Sequence, residues 1–425
     1  MAERILILGN SAAAIAAVRT IRAAAGDQAI TMVSAEDCTA YSPVLTTHYL
    51  NGEMPESALY FCDDYYYRKN GVVCHFGNAA VQLDVAARRV TLADGKQLDY
   101  DKLLIATGAT AKRLGGLDPE IAGEVHYLRT IDDARRIHDA ALNARHAVMM
   151  GAGLVSLQVA GAVCRPDLKV TCVVASRQVL SQNIDATCAG LLREHIESAA
   201  NIEFLFGTNV TGIVREDGGY QVTLDSGAEL RADLLVAGKG VSPNVGFVDP
   251  AQLTVDQGLV VDDHLRCLGA DGSPADGVWA AGDVAQGRNR VSGDVELVAN
   301  WIDACEQGAV AGTNMAGGDL PTPGSVAENI TTLFGLSVAS VGVNKKRDGD
   351  GLREVIHHDE RRGVYRRLLL RDGVLVGATL LRDCDDIGVL RGAVAAGWEP
   401  WPSAEAVARG HLKYATRLKA GYRAA

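Results

Sequence analysis

The chain has 425 residues, of which 48% are hydrophobic, with 46 glycines, 11 prolines and a formal net charge of −11. That length suggests two or three domains with ample buried core. The acidic balance excludes a nucleic-acid surface, which needs a basic face.

The N-terminal stretch "MAERILILGN" starts a core strand within four residues, which leaves no room for a signal peptide. Arg4 to Arg22, "RILILGNSAAAIAAVRTIR", reads as strand, glycine turn and alanine-rich helix, and "AITMVSAE" supplies the next strand. "LDYDKLLIATGAT" at 98–110 is a buried strand ending in a small-residue turn. His146 to Cys164, "HAVMMGAGLVSLQVAGAVC", repeats the first pattern and is followed by the strand "KVTCVVAS". One glycine loop is a weak signal, but two in order, each between a strand and a helix, are much stronger. "LRADLLVAGKGVSPN" at 230–244 and "DGVWAAGDVAQ" at 276–286 follow. "RLLLRDGVLVGATLL" at 367–381 predicts a β-hairpin turning at Asp372-Gly373. The tail from Pro402, with Tyr414 and Arg417, reads as a mildly basic helix and a candidate partner contact.

The expected fold is α/β: two Rossmann-like dinucleotide-binding domains plus a C-terminal α/β domain. The first dinucleotide domain would be split, 1–112 and 246–325, with the second, 113–245, inserted between its halves. Residues 326–425 would close the chain. No run approaches a membrane span. The nine cysteines show no C-x-x-C spacing and suit a reduced cytoplasmic protein with mostly buried thiols.

Together these blocks resemble the FAD- and NAD(P)H-dependent pyridine nucleotide–disulfide oxidoreductase family. The matching pieces are Gly9 to Ala14, 100–109, Gly151 to Ser156, 240–244, 278–285 and 299–318. "YSPVLTTHYLNGEM" and "LRTIDDARRI" are most similar to the branch without a redox disulfide, which includes NADH:rubredoxin and ferredoxin reductases. The resemblance implies FAD on the first loop and NADH, with NADPH as an alternative, on the second. Gly9 permits the tight turn, Ser11 replaces a second glycine, and Ala12 and Ala13 open the helix toward the pyrophosphate. Glu36 is expected near the adenosine, and Pro43, Ala106, Thr107 and Gly108 along the flavin. Gly282 and Asp283 would meet the ribityl chain, with Asp283 at a helix N-terminus. Asn300 and Trp301 would lie beside the isoalloxazine, although Trp301 suits a core position equally well. Gly151, Gly153, Leu154, Val155 and Gly240 would hold the nicotinamide dinucleotide. Val174 stands where an acid usually holds the ribose, with Arg177 three residues on.

Aligned on this frame, Val44 occupies the position of the nucleophilic cysteine. A buried valine forms no mixed disulfide, which disfavours peroxidase, disulfide reductase and water-forming oxidase chemistry. His48 and Gln158 fall at the positions of a lysine–glutamate pair near flavin N5 and are expected to form a neutral or titratable pair. The implied function is an NADH:acceptor oxidoreductase that exchanges electrons with an iron–sulfur or rubredoxin-type protein. It would serve as the flavin subunit of a larger redox complex, such as a 2-oxoacid dehydrogenase of the phenylglyoxylate type. Two alternatives remain: a free-standing enzyme using oxygen, a quinone or a disulfide, and a flavin-bound assembly protein. The C-terminal domain would make a homodimer or dock the partner.

Overall fold

The computed structural model describes residues 3–24, 27–346 and 349–412. The expected tail contact at Tyr414 and Arg417 lies outside the described residues. The chain divides into two compact units: 1–46 with 54–110 and 241–325, and 47–53 with 111–240 and 326–425.

The first unit is built on a six-stranded sheet in the order 266–268, 274–280, 102–105, 4–8, 29–33, 72–75. All pairs are parallel except the 266–268 edge. The central strand Arg4–Leu8 has four of its five residues buried, as a strand covered on both faces requires. Helix Ala12–Ala23 is alanine-rich and opens with three alanines, the best helix formers. It packs closely on helix Trp301–Met315, because Gly308 and Gly312 leave no side chain between them. A Cβ on Gly308 would stand 2.2 Å from the Ala13 carbonyl oxygen, and one on Gly312 2.7 Å from that of Ala17.

The second unit holds a four-stranded parallel sheet, 202–206, 169–174, 146–150, 234–237. It also holds a five-stranded antiparallel sheet formed by residues 328–381. Asp372 and Gly373 have φ of 51° and 85° and turn Val364–Arg371 into Val374–Leu381, as the Asp-Gly signal required. Of the segments read from sequence as 113–245 and 326–425, residues 113–240 and 326–425 fall in one unit, tied by several contacts, and 241–245 fall in the other. The Phe334 ring lies on Gly161, and His195 Nε2 meets the Phe334 carbonyl at 2.9 Å. The Tyr365 hydroxyl donates to Asp185, which caps helix Ala186–Ala199, at 3.0 Å. Residues 47–53 join this unit through Leu50, buried with Ala134 and Ile137, and through Tyr49, 5.9 Å from His138. Among the described residues no helix is long and apolar enough to cross a membrane.

Candidate functional site: two glycine loops

Both glycine loops are built by one stereochemical device. Gly9 has φ 121°, donates its N–H to Val33 O at 2.7 Å, and backs onto the next crossover. A Cβ there would meet the Ala106 carbonyl oxygen at 2.0 Å. Gly151 has φ 129°, donates to Val173 O at 2.9 Å, and a Cβ would meet the Gly238 carbonyl oxygen at 2.5 Å. Only glycine tolerates either position. Each loop opens a helix with no acid in its first turn and no side-chain cap, at Ser11 and at Gly153. The unsatisfied N–H groups and the positive end of the helix dipole are therefore open to an anion.

In the first unit, the turn Ala106–Thr107–Gly108 is locked by Asn244. Thr107 Oγ1 donates to Asn244 O at 2.9 Å, Asn244 Nδ2 to Thr107 O at 2.9 Å, and Asn244 N to Gly108 O at 2.9 Å. Gly282 donates to the buried Gln307 Oε1 at 2.7 Å, and its α-carbon faces Ala13 on the first turn of the loop helix. Contacts thus bring Gly9, Ala12, Ala13, Ala106 and Gly282 to one place. Asp283 lies in a turn between strands 274–280 and 285–288, not at the start of a helix as expected. Strand resumes at Ala285, and the nearby helix end is contributed by Ala12–Ala23 from far away in sequence. Asn300 caps helix Trp301–Met315, accepting from Asp303 N at 2.8 Å. Trp301 is half-buried rather than core and stands edge-to-face on Phe61, with centroids 5.6 Å apart.

Glu36 is half-buried just beyond strand 29–33, and its carboxylate accepts from the Tyr41 hydroxyl at 2.7 Å. Sequence reasoning missed Tyr41, and also the clamp on Asn10. The Asn10 amide donates to Cys38 O at 3.0 Å and accepts from the Tyr67 hydroxyl at 2.8 Å, and Ala40 N donates to that hydroxyl at 2.9 Å. A short polar residue after the glycine was the available signal. Burial raises the Tyr67 phenol well above its ordinary pKa, so it stays a neutral donor. Pro43 opens a short 3-10 turn, Pro43–Leu45, with Thr46 Oγ1 donating to Pro43 O at 2.7 Å. Val44 is not buried as expected. It is 55% exposed, because the turn directs its side chain outward.

In the second unit, Gly153 and Gly240 are exposed, Leu154 is half-buried and Val155 is 40% exposed. Ser156 takes the place of a third glycine. Its Oγ is buried without a hydrogen-bond partner and fills the space a Cβ on Gly238 would need, 2.1 Å away. Val174 is buried and Arg177 exposed at the end of strand Lys169–Val174. The pairing expected of His48 with Gln158 is replaced by two separate bonds. His48 Nδ1 meets Glu53 Oε2 at 2.5 Å, and Gln158 Nε2 donates to Thr331 Oγ1 at 3.0 Å. The one-turn helix Thr46–Leu50 brings His48 back over Glu53, and Gln158 faces strand Glu328–Leu333 instead. The hydrogen bond from His48 lowers the Glu53 carboxyl below its ordinary pKa.

All nine cysteines are free and none is fully exposed. Burial raises Cys74 to about 11 and Cys172 and Cys384 to about 12, and pushes Cys62, Cys164, Cys188, Cys267 and Cys305 upward too. Those thiols are not activated nucleophiles. Among the described residues no cluster of His, Cys, Asp and Glu could hold a metal.

Two anion-ready glycine loops, each closed on a neighbouring backbone, define a reductase built for two dinucleotides. The chain belongs to the pyridine nucleotide–disulphide oxidoreductase family, matched over residues 3–308. Residues 329–397 match the rubredoxin NAD+ reductase C-terminal domain. It is a flavoprotein oxidoreductase that uses FAD and NADH. Over 390 residues it is 31% identical to the NADH-dependent phenylglyoxylate dehydrogenase subunit epsilon of Aromatoleum evansii, covering 91% of this chain and 90% of that one. Over 346 residues it is 30% identical to the rubredoxin-NAD(+) reductase of Pseudomonas putida, covering 81% and 88%. The fold is that of the reductase in the covalent putidaredoxin reductase–putidaredoxin complex, with a TM-score of 0.86, 21% identity and 98% of each chain covered.

Proposed function

We propose that this oxidoreductase exchanges electrons between NADH and an external iron–sulfur or rubredoxin-type protein, as the flavin subunit of a larger redox complex. The observation that carries this reading is Val44. The position that holds a thiol in the disulfide branch carries a hydrocarbon, and Cys172 and Cys384 are buried with their thiols pushed up to about 12. With no metal cluster among the described residues, electrons leaving the flavin need an acceptor outside the chain. The relative from Aromatoleum evansii supports a complex with a 2-oxoacid dehydrogenase, and the one from Pseudomonas putida a rubredoxin-type partner.

The residues present fit the two cofactors. The Gly9 loop, with Ser11, Ala12 and Ala13, would receive the FAD pyrophosphate, and Glu36, oriented by Tyr41, the adenosine ribose. Pro43, Ala106–Gly108, Gly282 and Asp283 would line the rest of the flavin, with Asn300 and Trp301 near its ring. Gly151, Gly153, Leu154, Val155 and Gly240 would hold NADH, and the missing acid at Val174 leaves room for NADPH. Held there, the flavin would supply two-electron exchange with a dihydronicotinamide and one-electron exchange with an acceptor. His48 would be held by Glu53, and Gln158 would fix its own helix to Thr331. Residues 1–112 with 246–325 would be the flavin domain, 113–245 the nicotinamide domain, and 326–425 the surface for a partner or a homodimer. A cytoplasmic location suits the free thiols.

Anaerobic NADH titration of the purified holoprotein, counted in electrons, tests the reading. Two electrons per chain leave flavin as the sole redox group, as one hydride supplies. Four would reveal a reducible disulfide and overturn the argument from Val44. Rapid reoxidation in air would favour a small acceptor over a protein partner.

A further inference from the structure

Ala152, between the two glycines of the second loop, is held by a segment from beyond the next strand. Its carbonyl accepts the N–H of Leu180 at 2.9 Å. Leu180 is buried and has φ of 47°, a left-handed backbone that favours glycine and persists only where neighbouring contacts fix it. Its own carbonyl accepts from Asn183 N at 2.7 Å and Ile184 N at 3.2 Å, and Gln178 Nε2 donates to Ile184 O at 3.0 Å. Residues 178–184 therefore form a compact strap against the loop. The antiparallel sheet of residues 328–381 and the chain just after its second strand tie this strap down at two places. At its end, the Tyr365 hydroxyl donates to Asp185 Oδ1, the oxygen that also accepts from Thr187 N at 3.0 Å and Cys188 N at 3.1 Å. At its middle, Asn344 Nδ2 donates to Gln182 O at 2.7 Å and Lys345 Nζ to Gln182 Oε1 at 2.6 Å. The buried Arg367 joins the two ties, standing 3.9 Å from Asp185 Oδ2 and donating to Asn344 O at 2.7 Å. Tyr365 is itself fully buried. Burial first, and the Asp185 carboxylate second, push its phenol well above the ordinary range, so it stays a donor.

We propose that Tyr365 is a positioning residue for the nicotinamide dinucleotide: it fixes Asp185, and with it the strap whose Leu180 holds the Ala152 carbonyl. The peptide that carries this carbonyl also carries the N–H of Gly153, the residue that opens the loop helix. A trans peptide is planar, so fixing its carbonyl on one side aims its N–H to the other. The C-terminal sheet thereby sets the direction of a backbone donor in the second loop without touching the dinucleotide. This inference rests on the reading that the second loop holds NADH.

The test titrates ADP-ribose, which carries the pyrophosphate but no nicotinamide, into the holoprotein by calorimetry. Tyr365→Phe keeps the buried ring and removes one hydrogen bond, and it should weaken ADP-ribose binding about fivefold. Asn344→Ala, at the second tie, should act in the same direction by about twofold. His195→Ala breaks the bond to the Phe334 carbonyl, a contact between the same sheet and a point farther along helix Ala186–Ala199, and should leave the affinity unchanged. In steady-state turnover with an artificial acceptor, KM for NADH should rise in Tyr365→Phe by a similar factor to the loss of affinity, with kcat within about twofold. Wild-type affinity in Tyr365→Phe would overturn the assignment, and where that variant does not fold, wild-type affinity in Asn344→Ala would do so. An equal loss in His195→Ala would also overturn it, because the effect would then be a general loosening of the fold. So would a loss confined to kcat. Failure of NADH to reduce the wild-type flavin would instead overturn the reading of the second loop itself.

Discussion

Gly238→Ala should break the second loop through a single atom pair. The new Cβ would stand 2.1 Å from Ser156 Oγ but 3.4 Å from Ser156 Cβ and backbone N. The hydroxyl is therefore the obstacle. Ser156 is 2% exposed on the first turn of a helix whose neighbours are packed, so it has little room to rotate away. Overpacking of this kind costs about 1–3 kcal/mol. Ser156→Ala removes the obstacle, and it also removes a buried hydroxyl that lacks a hydrogen-bond partner, so alone it should be neutral or stabilising. In the Ser156→Ala background, Gly238→Ala meets only ordinary van der Waals contacts and should cost under ~1 kcal/mol. The cycle should thus show a coupling of about 1–2 kcal/mol between the two positions. The assay is thermal unfolding of the holoprotein by calorimetry, where the single Gly238→Ala variant should melt roughly 1–3 °C below wild type, as the unfolding entropy of a chain this long dictates. The double variant should recover most of that loss. An equal penalty in both backgrounds would refute the reasoning and shift the blame to the Gly151–Gly238 backbone contact.

Gly9→Ala forces a side chain against the Ala106 carbonyl at 2.0 Å in a left-handed backbone, so the purified protein should contain almost no FAD by absorbance. Tyr41→Phe removes the hydroxyl that orients the Glu36 carboxylate, and FAD should dissociate about tenfold more readily, measured by flavin fluorescence on dilution. The folded Glu53 carboxyl is lowered chiefly by His48, so this pair's contribution is present above the unfolded carboxylate pKa and lost as pH falls through the lower folded value. His48→Gln should return the Glu53 titration, followed by carboxyl NMR, toward the ordinary range. An unchanged titration would assign the shift to the bond from Asn51 instead.

Much of this architecture was legible because it is local. A strand, a glycine and an alanine-rich helix follow one another in sequence at Arg4–Arg22 and again at His146–Cys164, and each becomes the corresponding loop and helix. Asp372-Gly373 gave its hairpin for the same reason: two residues fix the turn. Val44 was expected to be buried and is exposed, because the direction of a side chain on a 3-10 turn depends on packing that no spacing encodes.

What the sequence by itself determined is the repeated dinucleotide pattern, its order along the chain, and the absence of sulfur at the position of Val44. Tertiary structure alone decided which distant groups complete each loop. Ala106 closes on Gly9, Asn244 locks Thr107 and Gly108, Tyr41 holds Glu36, and Gly238 makes room for Ser156. It also separated His48 from Gln158, giving one to Glu53 and the other to Thr331. The physical reason is range: turn chemistry and helix propensity act over a few residues. Hydrogen bonds and excluded volume act between whatever atoms the finished sheets bring within about 3 Å of each other.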